Sequence, residues 1–205
     1  MAEQKLPSSS EIVAFHDTCL AIPGWAKGGA QKFAAGIWNA IEDNHRYNCL
    51  LWDEEDLTRR KSVPDAEIAK NKRAIDGFNQ KRNDAIECID EQLLAVLDAV
   101  TRMPRARLNS ETAGAMTDRL SILSLKCFHM RLQTLRADVT ETHVQECAAK
   151  LARLTEQRED LAACLGRLLA EASRGEAYFK VYRQFKMYND PKLNPAVYGE
   201  QSGEK

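Results

Sequence analysis

Two long helical patterns joined by a short break constrain the fold of this chain more than any other feature. The first covers about residues 30–60 and the second about residues 64–102, with the break at Ser62-Val63-Pro64. Apolar residues recur at helical spacing in both patterns, and Pro64 is a favoured first-turn residue of a helix. Long helices with so short a connection pack side by side in opposite directions, which predicts an antiparallel hairpin.

Three more helical patterns extend this prediction along the chain. They are expected at about residues 11–21, 110–137 and 138–173. Asn109 or Ser110 would cap the fourth helix, because short polar side chains are favoured at that position. Asp138, three residues before Glu141, has a capping-box-like spacing and would open the fifth helix.

The predicted fold class follows from the length of these patterns and the scarcity of residues that break helices. Glycine and proline number only 10 and 6. We predict a single all-α domain over residues 1–205, an antiparallel helical bundle of about four long helices plus a short N-terminal helix and an irregular aromatic C-terminal tail. About residues 1–10 and 192–205 are expected to be flexible.

Charge and composition argue against several classes of function. The formal net charge is −1, so we expect no overall attraction to nucleic acid or to an anionic membrane. No apolar run approaches the ~20 residues of a transmembrane helix, and the N-terminus lacks the features of a secretion signal. The 6 cysteines are scattered without a Cys-x-x-Cys pair, which favours reduced thiols in a cytoplasmic protein over disulfides or zinc.

Polar residues occupy positions of the hairpin where a buried helical stripe should be apolar. If the helices turn near Ser62, facing residues have numbers that add up to about 126, because both helices rise by the same amount per residue. Asn48 would then lie near Asn79, and Asn44 near Arg82. Such a polar seam is either a hydrogen-bond network that sets the register of the helices or a ligand or catalytic site.

Two acidic spacings in the sequence are candidates for metal sites. Glu42-x-x-His45 has the spacing of a diiron bundle motif, but no second copy exists, and an exposed pair that supports the helix is favoured. The acidic run at residues 53–56 and Glu87-x-x-Asp90 resemble the carboxylates of all-helical nucleotide pyrophosphohydrolases. The hairpin register separates these two groups by about 25 Å. We therefore predict no metal ligands, and a metal-dependent nucleotide hydrolase stays a minor alternative.

Basic side chains cluster near Glu55 and Asp56. They are Lys61, Lys70, Lys72, Arg73, Lys81 and Arg82. Such a cluster is either a solvated helix face with ion pairs or a site for phosphate or carboxylate, which arginine, lysine and asparagine donors suit.

On the fourth helix, one face carries Arg119, Lys126 and His129. This face is either solvated or meets the seam, where His129 could exchange a proton at neutral pH.

The stretch at residues 178–188 alternates basic and aromatic residues. Packing over the bundle end is favoured there over stacking on nucleic acid, because the net charge is near zero.

Three blocks of the chain carry a family resemblance. They are His45-x-x-Asn48-x-x-Leu51-Trp52-x-x-Glu55-Asp56-x-x-Arg59 with Ile75-Asp76-x-x-Asn79-Gln80-x-Arg82-Asn83-Asp84, then Asn109-Ser110-Glu111-Thr112-x-Gly114 with Asp118-Arg119-Leu120-Ser121-Ile122-Leu123-x-Leu125-Lys126, and Tyr182-Arg183-Gln184-Phe185-Lys186-Met187-Tyr188-Asn189-Asp190-Pro191. In these blocks the chain resembles a bacterial family described as domain of unknown function 4254. The resemblance implies no particular activity, and it implies a setting of cell-envelope sugar biosynthesis.

Together the seam and the resemblance select the candidate site residues. The acid/base candidates are Glu55, Asp56 and Asp76. The candidates for ligand binding are Asn48, Arg59, Lys72, Arg73, Asn79, Arg82, Asn83, Asp118, Arg119 and Lys126.

Three functions are compatible with these residues. The first is the binding, and conversion, of an anionic small molecule such as a phosphorylated or nucleotide-activated sugar. The second is a non-catalytic partner that dimerises or docks through a helix face and regulates an enzyme of envelope biosynthesis. The third is the metal-dependent hydrolase. The sequence names neither a reaction nor a cofactor.

Overall fold

The computed structural model describes residues 5–185, 187, 190 and 192–196. Its helices are α1 (Ser9–Leu20), α2 (Trp25–Gly28), α3 (Ile37–Thr58), α4 (Asp65–Val96), α5 (Ala113–Thr134) and α6 (Glu141–Ser173). Two short strands, β1 (Arg107–Leu108) and β2 (Ala177–Tyr178), pair in parallel. The all-α class predicted from the sequence is confirmed. None of the described helices is long and apolar enough to cross a membrane.

The α3/α4 hairpin has the register that helical rise predicts. The side-chain amide of Asn71 donates to Glu54 at 2.5 Å, and the rings of Tyr47 and Phe78 stack with centroids 6.4 Å apart. Both pairs agree with the predicted register to within about one residue. The hairpin therefore turns at residues 59–64.

A second hairpin, formed by α5 and α6, lies beside the first. Asn48 of α3 contacts Ser121 of α5, and further along both helices Trp52 stacks on His129. Because both contacts advance in the same direction, α3 and α5 run parallel. The turns of the two hairpins, at residues 59–64 and 135–140, therefore lie at the same end of the bundle.

Helix α1 packs over α5 and α6 and completes the core. It buries Ile12, Phe15 and Cys19. Ser8 caps its first turn in a capping box with Glu11. After α1 the chain turns away at Gly24, whose φ of 71° is one that other residues adopt with difficulty.

Helix α3 begins later than the sequence pattern suggested, at Ile37 instead of near residue 30. The backbone N–H groups of Lys32 and Phe33 donate to the carboxylate of Glu42 at 2.9–3.0 Å. These bonds hold the preceding segment as a loop folded against α3. Gly36, with a φ of 80°, then separates this loop from the first turn of α3.

The predicted caps of α5 and α6 were also wrong by a few residues. Thr112 caps α5, in place of Asn109 or Ser110. Thr140 caps α6 by accepting from the N–H of His143, while Asp138 forms an ion pair with Arg136 at 2.7 Å. Asp138, which the capping-box spacing predicted as the cap of α6, therefore pairs with the guanidinium of Arg136 instead.

The C-terminal segment packs on the bundle only in part. Phe179 is fully buried after β2, whereas Tyr182 and Phe185 are 50% and 87% exposed. Arg183 anchors the segment by pairing with Glu87 and Glu91 on α4. Two other residues of the predicted aromatic stretch, Lys186 and Tyr188, lie outside the described residues.

Candidate functional site

A buried carboxylate is the centre of the polar core. Asp118, on α5, is 6% exposed and accepts hydrogen bonds from the side-chain amides of Asn44 at 2.9 Å and Asn48 at 2.8 Å. These two asparagines lie one turn from each other on α3. The guanidinium Nε of Arg82, on α4, is 3.8 Å from the same carboxylate oxygen. One side chain on α5 therefore joins three helices.

This network corrects the pairing predicted across the hairpin. Asn48 and Asn44 bond to α5 and not to Asn79 and Arg82 on α4. The register of α3 against α4 is right, but the polar stripe of α3 points at a third helix. Helical spacing alone identifies the stripe without identifying its partner.

Ser121 extends the network to a pair of histidines. Its hydroxyl accepts from Asn48 at 3.0 Å and lies 2.8 Å from Nδ1 of His45. The His45 ring stacks on His16 of α1, with centroids 4.4 Å apart. Burial lowers the pKa of His45 to about 3 and that of His16 well below its ordinary value, so both rings are neutral at physiological pH.

Arg82 faces an open cleft beside this network. Its side chain is 27% exposed, and no described residue accepts a hydrogen bond from its guanidinium, whose Nε is buried. The cleft has a volume of about 310 Å³. Its lining residues are Asn48, Leu51, Trp52, Glu55, Asp56, Arg59, Arg82, Ile122 and Leu125.

The rim of the cleft carries charges of both signs. Glu55 accepts from Arg59 at 3.2 Å, an exposed pair on adjacent turns of α3. Asp56 forms no ion pair within the described part of the chain. Two guanidinium groups and two carboxylates thus surround a cavity with an apolar wall, a combination that suits a ligand with both anionic and hydroxyl groups.

Five of the predicted site residues meet at this cleft, and Asp118 lies directly behind it. The five are Asn48, Glu55, Asp56, Arg59 and Arg82. Asn44, His45 and Ser121 belong to the same network but were not among the predicted site residues. The signal for them was the repetition of polar residues three and four apart on α3 and on α5.

The other predicted site residues lie elsewhere. Lys72 and Asp76 pair with each other on the exposed face of α4 at 3.3 Å, and Arg119 pairs with Glu111 at 2.6 Å. Arg73 is exposed. The structure therefore does not bring these side chains into the cleft.

Three more of them have separate surroundings. Asn79 is half-buried on α4, and Asn83 is buried with an unpaired side-chain oxygen. Lys126 lines a neighbouring groove on α5. None of the three lines the Arg82 cleft.

The acidic spacings considered as metal motifs are occupied by other interactions. Glu42 and His45 are fully buried rather than exposed, and Arg46 pairs with Glu42 at 3.2 Å. Asp90 accepts from the N–H of Gly114 at 2.6 Å, and Glu87 pairs with Arg183. Among the described residues, no three His, Cys, Asp or Glu side chains converge in a way that could hold a metal ion.

The fold and the site define an all-α bundle protein with a buried polar network beside an open, charged cleft. The chain belongs to the family described as protein of unknown function (DUF4254), whose model matches residues 38–181. That range contains α3 to α6 almost completely, and with them every residue of the network except His16. No curated protein and no solved structure matches the chain.

Proposed function

We propose that this protein binds an anionic small molecule, a phosphorylated or nucleotide-activated sugar, in the cleft beside Arg82. The observation that carries the proposal is a partly buried guanidinium with no hydrogen-bond acceptor among the described residues. Guanidinium groups have five N–H donors, and those of Arg82 that are not bonded to the protein are left for water or a ligand. A phosphate or carboxylate in the cleft would accept these hydrogen bonds.

Asp118 supports this role by holding Arg82 in place. At 3.8 Å it balances the charge of the guanidinium without occupying its donors. Asn44 and Asn48 in turn fix the carboxylate. The donor fork is therefore oriented before a ligand arrives, which reduces the entropy lost on binding.

The cleft also holds groups that could act on a bound ligand. Glu55 and Asp56 stand at the rim, where a sugar hydroxyl or a phosphoester oxygen would lie if the anionic group contacted Arg82. We propose Asp56 as the acid or base, because Glu55 already pairs with Arg59. A cytoplasmic location in cell-envelope glycan biosynthesis fits this ligand class and the six free cysteines.

The test is a thermal-shift screen with nucleotides, nucleotide sugars and sugar phosphates, with and without Mg²⁺. A ligand at about 100 times its Kd should add about 2.7 kcal/mol and raise the midpoint by several degrees. The shift should disappear in Arg82→Met. It should persist in Arg73→Met, which removes an exposed arginine from the same helix.

Folding of the variant is controlled separately. Arg82→Met leaves Asp118 without its cation, so helix content must be measured in parallel. Arg82→Lys keeps the charge but loses the planar fork, and should weaken binding while preserving the fold. A screen without any selective shift, or a shift that survives in both Arg82 variants, would contradict the proposal.

A second candidate function is that of a non-catalytic partner protein. Leu132 and Leu135, about one turn apart at the end of α5, are 45% and 73% exposed. A helix face of this kind suits self-association or docking. Sedimentation of the wild type and of Leu135→Asp distinguishes this function, because only a docking surface would lose a complex.

A further inference from the structure

A groove continues along α5 and α6 beyond the end of α1. Arg158 of α6 bonds to Asp17 of α1 at 2.7 Å and to Ser124 of α5 at 3.3 Å, close to the last turn of α1. Helix α1 ends at Leu20, whereas α5 and α6 go on to their turn. The uncovered part is a groove of about 590 Å³ between α3, α5 and α6.

The floor of the groove is apolar. Trp52 lies flat on His129, with ring centroids 4.4 Å apart and an interplanar angle of 6°. Met130 and Leu154 continue the floor, and both are half-buried. Burial lowers the pKa of His129, so the ring is neutral at physiological pH and adds no charge to this surface.

The rim of the groove is basic. Lys126, Lys150 and Arg153 line it, are exposed, and form no ion pair within the described part of the chain. Asp56 is the single carboxylate among the lining residues. Three cations against one anion leave a net positive rim around an apolar floor, in a protein whose overall charge is close to zero.

We infer that this groove binds an anionic amphiphile with a single apolar chain. The chain lies on Trp52, Met130 and Leu154, and a phosphate, sulfate or carboxylate head contacts Lys150 and Arg153. The lining of α5 from Lys126 to Gln133 extends for about 10 Å, enough for a short alkyl chain. The volume is within the range of small-molecule sites.

This site is separate from the one proposed at Arg82. The two share Trp52 and Asp56 on their common wall, but the cationic groups differ. Arg82 and Arg59 face the cleft, whereas Lys126, Lys150 and Arg153 face the groove. Each proposal can therefore fail without the other.

The test is calorimetric titration of the full chain with octyl phosphate, below its micelle concentration. Inorganic phosphate and octyltrimethylammonium are titrated in parallel, and phosphatidylglycerol vesicles test a membrane surface as the source of the same head group. We expect saturable one-to-one binding of octyl phosphate. Inorganic phosphate and octyltrimethylammonium should each bind at least about tenfold more weakly than octyl phosphate. No more than weak vesicle binding is expected.

Variants assign the binding to the groove. Lys150→Glu with Arg153→Glu should weaken octyl phosphate binding by roughly tenfold or more, because two attractions become repulsions. Arg167→Glu with Lys70→Glu makes the same change in charge at exposed positions away from the groove and should have little effect. Leu154→Asp should also weaken octyl phosphate binding, because it places a charged group in the apolar floor of the groove.

Several results would overturn the inference. They are equal affinity for inorganic phosphate and octyl phosphate, equal loss of binding in the matched control, or binding to vesicles alone. Loss of octyl phosphate binding in Arg82→Met, with Lys150→Glu and Arg153→Glu unaffected, would place the amphiphile in the cleft instead.

Discussion

Arg82 and Asp118 form an ion pair that is not a hydrogen bond, since Nε and the nearest carboxylate oxygen are 3.8 Å apart. The carboxylate uses its hydrogen-bonding capacity on two asparagine amides from α3. The terminal nitrogens of Arg82 form no hydrogen bond with a described residue and remain available to the cleft, whereas its Nε is buried beside Asp118. Structural and binding roles are thus divided between two neighbouring charged side chains.

Asp118→Ala should destabilise the protein by about 3 kcal/mol. Removing the carboxylate leaves the buried amides of Asn44 and Asn48 without their acceptor and Arg82 without its counter-charge. Urea unfolding measures the effect. Asp76→Ala removes an exposed carboxylate and should change the free energy of unfolding by no more than about 0.5 kcal/mol. Equal effects of the two substitutions would contradict a central role for Asp118.

His16→Leu should reduce the loss of stability in acid. His16 is buried and its pKa is lowered by burial, so below about pH 6.5 the unfolded chain takes up a proton that the folded chain refuses. Stability therefore falls as pH decreases, by up to about 1.4 kcal/mol per pH unit for each such histidine. Unfolding in urea between about pH 7 and 4.5 should show a shallower decline in the variant. An unchanged slope would contradict a lowered pKa for His16 in the folded protein.

Asp90→Asn should change the pH dependence of the free energy of unfolding in the direction opposite to that of His16→Leu. Burial raises the pKa of Asp90 to about 6, so between about pH 4 and 6 the folded protein keeps a proton that the unfolded chain has already lost. The contribution of Asp90 to stability therefore decreases as pH rises through this window, by an amount on the order of 2–3 kcal/mol.

The asparagine side chain in the Asp90→Asn variant does not titrate and still offers an oxygen to the N–H of Gly114. The difference in unfolding free energy between wild type and variant, measured at about pH 4 and at about pH 7, should move in favour of the variant at the higher pH. A difference that does not depend on pH would show that Asp90 keeps an ordinary pKa.

Two glycine substitutions should have opposite effects. A Cβ at Gly114 would lie 2.4 Å from the carbonyl oxygen of Ile86, so Gly114→Ala forces α4 and α5 apart and should cost at least about 1–3 kcal/mol. A Cβ at Gly77, inside α4, meets nothing within 4 Å. Gly77→Ala should therefore stabilise the protein by about 0.5–1 kcal/mol. Thermal midpoints of the two variants test the close approach of α4 to α5, and a tolerated Gly114→Ala would contradict it.

Local patterns predicted the helices well and their ends less well. The apolar spacing of α4 and α6 is long and regular, so their existence and type follow from periodicity. Their ends depend on competition between side chains for a few backbone donors. The backbone before α3 donates to Glu42 as a loop, and Asp138 pairs with Arg136 instead of capping α6. Neither competitor can be identified until the chain is folded.

The candidate site was predictable as a stripe and not as a network. Asn44 and Asn48 mark the polar face of α3 from spacing alone, and Arg82 was among the predicted ligand residues. The link to Asp118 and Ser121 crosses more than 70 positions of sequence, and no local pattern encodes it. The stacking of His16 on His45 likewise depends on where α1 packs against the other helices.

The sequence by itself determined an all-α bundle, the α3/α4 hairpin with its register, and the family to which the chain belongs. These follow from helical periodicity, helical rise and local motifs, which act over a few residues or across one short turn. Only the tertiary structure decided that the polar face of α3 meets α5, that Arg82 faces a cleft, and that α1 leaves a basic groove uncovered. The reason is that a helix face specifies what it must bury, whereas the packing of the other helices specifies which neighbour buries it.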